Sequence, residues 1–141
     1  MEAIASGRLI VPEENAFSGR RILFHGHCHQ KALAGTGATM ALLRSIPGAD
    51  VIEVDAGCCG MAGSFGFEAE HYELSMRIGE LRLFPAVRAE AEETIIAATG
   101  VSCRQQIEHG TGRPARHPLD ILRQVLPTPS STRHGRAARR W

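Results

Sequence analysis

Val51-Ile52-Glu53-Val54-Asp55-Ala56-Gly57-Cys58-Cys59-Gly60-Met61-Ala62-Gly63-Ser64-Phe65-Gly66 is the stretch that decides the fold. Three of its first four residues are β-branched, so it begins as a strand. It then becomes a loop in which glycine recurs every third residue, at 57, 60, 63 and 66. Glycine lets the backbone take positive φ and come close to a bulky ligand. The exposed N–H groups of such a loop can donate to sulfur and tune a bound centre. A merely flexible glycine loop and a phosphate cradle are the competing readings. The G-x-x-x-x-G-K-[ST] pattern is absent, and Gly35-Thr36-Gly37 lacks the third glycine of the dinucleotide fingerprint, which counts against nucleotide binding.

Working outward, Ile22-Leu23-Phe24 after Arg20-Arg21 reads as a strand, and so does Thr94 to Ala98. Thr36 is placed to cap a helix over about 37–46, stopped by Pro47-Gly48. Leu74, Ile78 and Leu81 recur at i, i+4 and i+7, the stripe of an amphipathic helix over about 68–83. Pro85 breaks that helix or opens another over 85–93. A short helix over 104–109 ends at Gly110, and Pro118 opens a last one with Leu119, Leu122 and Leu126 on one face. The order βαβαβα predicts an α/β fold in three layers: a mostly parallel sheet with flanking helices. Residues 1–19 read as a lead-in linker, 20–126 as the domain, and 127–141 as a basic disordered tail.

The cysteines then acquire a position. Cys28 follows the first strand, Cys58 and Cys59 the second, and Cys103 the third. In a parallel sheet the carboxyl ends of the strands share one edge, and ligands bind there. Three cysteine loops distant in sequence are expected to converge at that edge, whereas plain core cysteines have no reason to. One Zn²⁺ accepts four thiolates, but zinc sites usually space their cysteines C-x₂₋₄-C. Side chains of adjacent residues diverge, so Cys58 and Cys59 reach two irons of a cluster more easily than one zinc. The spacing therefore favours an iron–sulfur centre, with zinc as the alternative. A redox-active Cys58-Cys59 pair ranks below both, because adjacent cysteines close only a strained ring.

Three histidines, His25, His27 and His29, flank Cys28. Imidazole can ligate metal, but hydrogen bonding around the centre, or a polar loop, is the favoured role. His117 precedes Pro118 and suits either a helix cap or a hydrogen bond to the centre. Gly57, Gly60 and Gly63 are expected to line it, with Met61 and Phe65 shielding it from water. His71 and His109 are expected on solvated helix faces.

Composition narrows the rest. The chain has 141 residues, 43% hydrophobic and 22% charged, which suits one soluble domain with a real core. Its formal charge is +1, yet four arginines lie in the last nine residues; elsewhere 12 basic residues face 15 acidic ones, a balance of −3. Arginine outnumbers lysine 15 to 1, Lys31 standing alone. The tail has one aromatic, Trp141, and no stacking pattern, so nucleic acid is not an expected partner. Apolar runs reach about four residues, too short for a membrane span. Residues 1–19 lack the basic-then-apolar layout of a signal peptide. Four cysteines with no export signal argue for reduced thiols rather than a disulfide framework. The expected location is the cytoplasm, with any tie to the inner membrane made through partners.

His25-Gly26-His27-Cys28-His29-Gln30, Gly57-Cys58-Cys59-Gly60-Met61-Ala62-Gly63-Ser64-Phe65-Gly66, Ser102-Cys103-Arg104-Gln105-Gln106-Ile107 and His117-Pro118 together resemble the cysteine-rich "CCG" domain. That domain occurs in heterodisulfide reductase, in the iron–sulfur subunits of glycolate oxidase, and in anaerobic glycerol-3-phosphate dehydrogenase. The likeness extends over about residues 20–126 and is greatest to the carboxyl-terminal part of FAD-linked iron–sulfur dehydrogenases of D-lactate, glycolate or D-2-hydroxyglutarate. The resemblance implies cluster ligation by Cys28, Cys58, Cys59 and Cys103. The family pattern often ends in C-x-x-C, where this sequence has Gln106; four thiols suffice for one [4Fe–4S] cluster. Zinc is also associated with some domains of the family. The resemblance further implies partners: a ferredoxin-like iron–sulfur domain, and a flavin dehydrogenase domain or subunit that would hold FAD. On this reading the chain is a carboxyl-terminal electron-transfer fragment, not catalytic alone; a zinc-stabilised domain that docks other proteins is the alternative.

Overall fold

The structure, a computed structural model, describes residues 12–126. The first part of the lead-in and the whole basic tail, 127–141, lie outside the described residues. Four parallel strands form one sheet: β1 (Arg21–His25), β2 (Asp50–Glu53), β3 (Ile95–Ala98) and β4 (Ala115–Arg116), in the order β2-β1-β3-β4. Phe24 on the central strand pairs with Glu53 on one side and Ala97 on the other. Among the described residues, six α-helices flank the sheet: α1 (Cys28–Leu33), α2 (Gly37–Arg44), α3 (Tyr72–Leu81), α4 (Leu83–Ala89), α5 (Val101–Thr111) and α6 (Pro118–Val125). The architecture is the α/β fold expected from the order of strands and helices.

Alternation along β1 sorts the core into two layers. Ile22 and Phe24 face α2 and α6, among Met40, Leu43, Ile46, Ile121, Leu122 and Val125. Leu23 faces the other way, among Leu83, Phe84, Val87, Ile107, Cys59 and Cys103. Phe17, within the stretch read as lead-in, is buried in the first layer, so the packed core reaches back at least that far. The chain turns to one side of the sheet after β1 and to the other after β3. Those strands are neighbours, so a crevice opens between their carboxyl ends, where α/β folds bind ligands.

Several sequence expectations need correction. The stripe Leu74, Ile78, Leu81 does not face the core: Leu74 is 48% and Leu81 77% exposed, while Ser75 and Gly79 are buried. A Cβ on Gly79 would overlap the Phe84 ring. The helix thus approaches through its smallest residues, where leucine would not fit. It also begins at Tyr72 rather than near 68, after two short 3₁₀ turns (Phe65–Phe67 and Ala69–His71). Thr36 stands at the N-cap of α2 but makes no cap bond; its hydroxyl donates to Glu53 Oε2 at 2.9 Å. On α6 the buried residues are Pro118, Ile121, Leu122 and Val125, and Leu119 is exposed. Helix α5 begins at Val101, so Cys103 lies in its first turn rather than in the loop before it.

Candidate metal centre

Each cysteine follows the carboxyl end of a strand. Cys28 is the first residue of α1, three residues past β1. Helix α1 starts there because His27 caps it: the His27 Nδ1 accepts from the His29 N–H at 3.0 Å. Cys58 and Cys59 lie in the loop after β2. Within that loop Ala62 takes φ +41, the one non-glycine with positive φ among the described residues. Strain of this kind tends to persist where surrounding contacts over-determine a site. Cys103 is carried by α5 after β3.

The fold brings Cys59 and Cys103 together. Both are buried, and their sulfurs lie 3.4 Å apart, joined by a thiol–thiol hydrogen bond. His25, the last residue of β1, points to the same place. Its ring is 1% exposed, and neither nitrogen has a hydrogen-bond partner. One donor atom from each of His25, Cys59 and Cys103 lies within 4.8 Å of the other two. Cys28 and Cys58 are half-buried and stand outside this trio. The Cys58 sulfur accepts from the Gly60 N–H at 3.3 Å.

The electrostatics show a coupled set. Cys59 is drawn down to about 4, chiefly by its hydrogen bond with Cys103, with further help from the nearby His25 ring and the Met61 N–H; burial works against this. Cys103 is pushed far upward by its hydrogen bond with Cys59, by burial, and by the negative charge of Cys59, Cys28 and Cys58. Burial raises Cys58, and the charges of Cys59 and Cys28 raise it further. The Cys28 sulfur is therefore within electrostatic reach of both Cys58 and Cys103. Two buried thiols in contact, two more within that field, and an unpartnered imidazole suit a thiophilic metal or cluster.

The other residues singled out in the sequence fall into place around this set. The His27 ring packs over Gly100, where a Cβ would overlap it and come 3.0 Å from the Cys103 sulfur. His29 is exposed. His117 caps α6, its Nδ1 accepting from the Leu119 N–H at 3.2 Å. Gly60 has φ +102 and lies against the Ser75 carbonyl; Gly57 and Gly63 are exposed with open space at their Cβ positions. Met61 is buried in the same layer as Cys59 and Cys103, whereas Phe65 stacks on His71 at 3.9 Å. Gln106, three residues after Cys103, is buried and donates to the Ser75 Oγ at 2.9 Å. Sequence reading undervalued His25. The usable signal was strand alternation, which puts it in phase with the inward-facing Leu23. It also missed Lys31, whose Nζ donates to the Ala56 carbonyl at 2.6 Å, just ahead of the cysteine loop.

The chain is similar to one subunit of the anaerobic glycerol-3-phosphate dehydrogenase of Escherichia coli (strain K12), 35% identical over 106 residues. It is similar to D-2-hydroxyglutarate dehydrogenase of the same strain, 38% identical over 110 residues, and to that of Pseudomonas putida, 31% identical over 117. These matches take in 75%, 77% and 82% of this chain, but 26%, 11% and 11% of the respective relatives, so the chain spans a small part of each. No solved structure matches. Residues 22–108 match the CCG family, described as a cysteine-rich domain, and the chain belongs to that family.

Proposed function

We propose that this domain is the iron–sulfur electron-transfer module of a flavin-dependent 2-hydroxy-acid dehydrogenase, with Cys28, Cys58, Cys59 and Cys103 holding one [4Fe–4S] cluster. The observation that carries the reading is the meeting of buried Cys59 and Cys103 at the sheet edge, with Cys28 and Cys58 in their field. The kinship with dehydrogenases of D-2-hydroxyglutarate supports the substrate class. A cluster bound there supplies a one-electron carrier. The chain does the rest. Its thiolates set the charge of the site, the Cys59–Cys103 pair begins as a single anion, and the Met61 side chain excludes water. Oxidation of the hydroxy acid belongs to a flavin domain or subunit, with a ferredoxin-like domain as the other electron partner. The location is cytoplasmic. Among the described residues, no helix is long and apolar enough to cross a membrane.

Anaerobic purification followed by iron, sulfide and zinc analysis tests this. About four irons per chain, with an EPR signal on reduction, are expected; one zinc and no iron would overturn it. One observation favours the second reading, a zinc-held docking domain: the His25, Cys59 and Cys103 donor atoms fit within 4.8 Å, the scale of a single ion. That reading predicts one zinc, no redox signal, and unfolding by chelators.

A further inference from the structure

We propose that the His25 imidazole is itself a ligand of the centre, giving it a mixed nitrogen–sulfur donor set with Cys59 and Cys103. This rests on the metal-centre reading above: at a four-iron cluster the imidazole takes an iron otherwise left to Cys28 or Cys58, the two thiols outside the buried trio, and at a single ion it joins Cys59 and Cys103.

The argument starts from β1. Alternation turns Ile22 and Phe24 toward α2 and α6, and sends Leu23 and His25 to the opposite layer. A strand end facing an apolar layer calls for leucine or valine. A histidine there buries two polar nitrogens, and each orphaned polar atom costs free energy that an apolar residue would avoid. Buried polar groups in folded proteins are nearly always paired, so an imidazole with both nitrogens free points to an occupant.

The distances fit one. Ligands bound to a common metal at roughly 2.0–2.3 Å cannot lie farther apart than about 4.6 Å. The Cys59 and Cys103 sulfurs are 3.4 Å apart, and the His25 donor atom lies within 4.8 Å of both. A small movement of buried side chains brings all three onto one ion, or onto neighbouring irons of one cluster. Gln106, on α5 three residues past Cys103, is turned away to Ser75. Helix α5 thus offers Cys103 alone, while β1 offers an imidazole. His27 is the less suitable nitrogen: its Nδ1 is committed to the cap of α1.

The test uses the full chain, loaded anaerobically in one arm with Co²⁺ and in another with iron and sulfide. Pulsed EPR of the reduced iron–sulfur form is expected to show nitrogen hyperfine coupling, lost in His25→Cys, which keeps a ligand but replaces nitrogen with sulfur. His25→Leu is expected to weaken Co²⁺ binding more than about tenfold. The metal-free His25→Leu chain should melt no lower than the parent, because leucine suits the apolar layer. The inference is overturned if metal binds without nitrogen coupling, if the coupling persists in His25→Cys, or if His25→Leu binds Co²⁺ as tightly as the parent. In those cases the centre stands on thiols alone, and His25 only packs. If neither metal binds the parent chain, the metal-centre reading falls and takes this inference with it.

Discussion

The Cys59 and Cys103 sulfurs lie 3.4 Å apart across 44 residues of sequence, joined by a hydrogen bond between the two thiol groups. The pair therefore shares one proton over a wide pH range. The Cys59 thiol, drawn to about 4, lies below its ordinary value of 9.0. Its ionisation thus stabilises the fold fully above the unfolded value, and this contribution is lost as pH falls toward about 4. Cys103 is raised, so ionising it above the ordinary thiol range opposes folding. From this pair, the metal-free domain gains stability as pH rises from about 4 to about 9 and loses it beyond. Denaturant unfolding of metal-free protein at about pH 5.5 and 8.5, beside Cys59→Ser, measures this. A shallower pH slope is expected in the variant; equal slopes would mean that the thiols do not share a proton.

Lys31 links two of the thiol-bearing segments. Its Nζ donates to the Ala56 carbonyl at 2.6 Å, and its helix begins at Cys28. The stem crosses Gly26, where a Cβ would come 2.9 Å from the Lys31 Cε. The only lysine of the chain thus holds the Cys28 helix against the Cys58–Cys59 loop. Lys31→Met removes a charged hydrogen bond worth about 1.5–3 kcal/mol. Lower stability is expected, together with faster metal loss to a chelator, since Cys28 is no longer held to the loop. Stability within about 0.5 kcal/mol of the parent would show that the contact is incidental.

What the sequence disclosed follows from physical signal strength. The strands at 22–24, 51–54 and 94–98 were legible because β-branched and apolar runs leave little choice. Strand β4 has two residues, Ala115 and Arg116, and no apolar run to announce it. Helix α1 was hidden because its six residues contain no buried side chain; a histidine cap starts it, not a hydrophobic period. Helix α3 was legible in type but not in orientation. The rule that apolar stripes face inward fails where close packing selects Ser75 and Gly79. At the site, the convergence of Cys59 and Cys103 followed from topology, since strand ends share an edge. The burial of His25 followed from alternation along β1, but histidine is so often a surface residue that this signal carried little weight. Lys31 and Arg113 act through backbone carbonyls, which no side-chain pattern reveals.

Arg113 gives a control remote from the thiols. Its guanidinium donates to the carbonyls of Val87, Glu90, Ala91, Glu92 and Thr94, at distances from 2.6 to 3.2 Å. These bonds close the connection between α4 and β3. Arg113→Met leaves those carbonyls to water or unpaired, at an expected cost of about 2–4 kcal/mol. Thermal or denaturant unfolding reads the loss. Metal content per folded chain is expected to be unchanged, because no Arg113 contact reaches the cysteine loop. A variant that folded normally but lost metal would contradict this division between scaffold and site.

The glycine loop gives the sharpest contrast between neighbouring positions. At Gly60 the backbone has φ +102, and a Cβ would overlap the Ser75 carbonyl and stand 3.2 Å from the Gln106 Nε2. Both obstacles are fixed: one is backbone of α3, and the other is a buried amide bonded to Ser75. Relief requires the loop to lift off α3, carrying Cys59 away from Cys103. Backbone strain of about 1–3 kcal/mol and overpacking of about 1–3 kcal/mol combine, so Gly60→Ala is expected to destabilise by about 2–6 kcal/mol and to lower metal content. Gly57 is one residue ahead of Cys58, yet it has open space at its Cβ position and no positive φ. Gly57→Ala is expected to stay within about 0.5 kcal/mol of the parent and to load metal normally. Unfolding curves and metal analysis of the two variants decide the matter. Equal tolerance at both positions would mean that contact with α3 does not hold the loop; equal intolerance would mean that the whole loop needs glycine for a bound group.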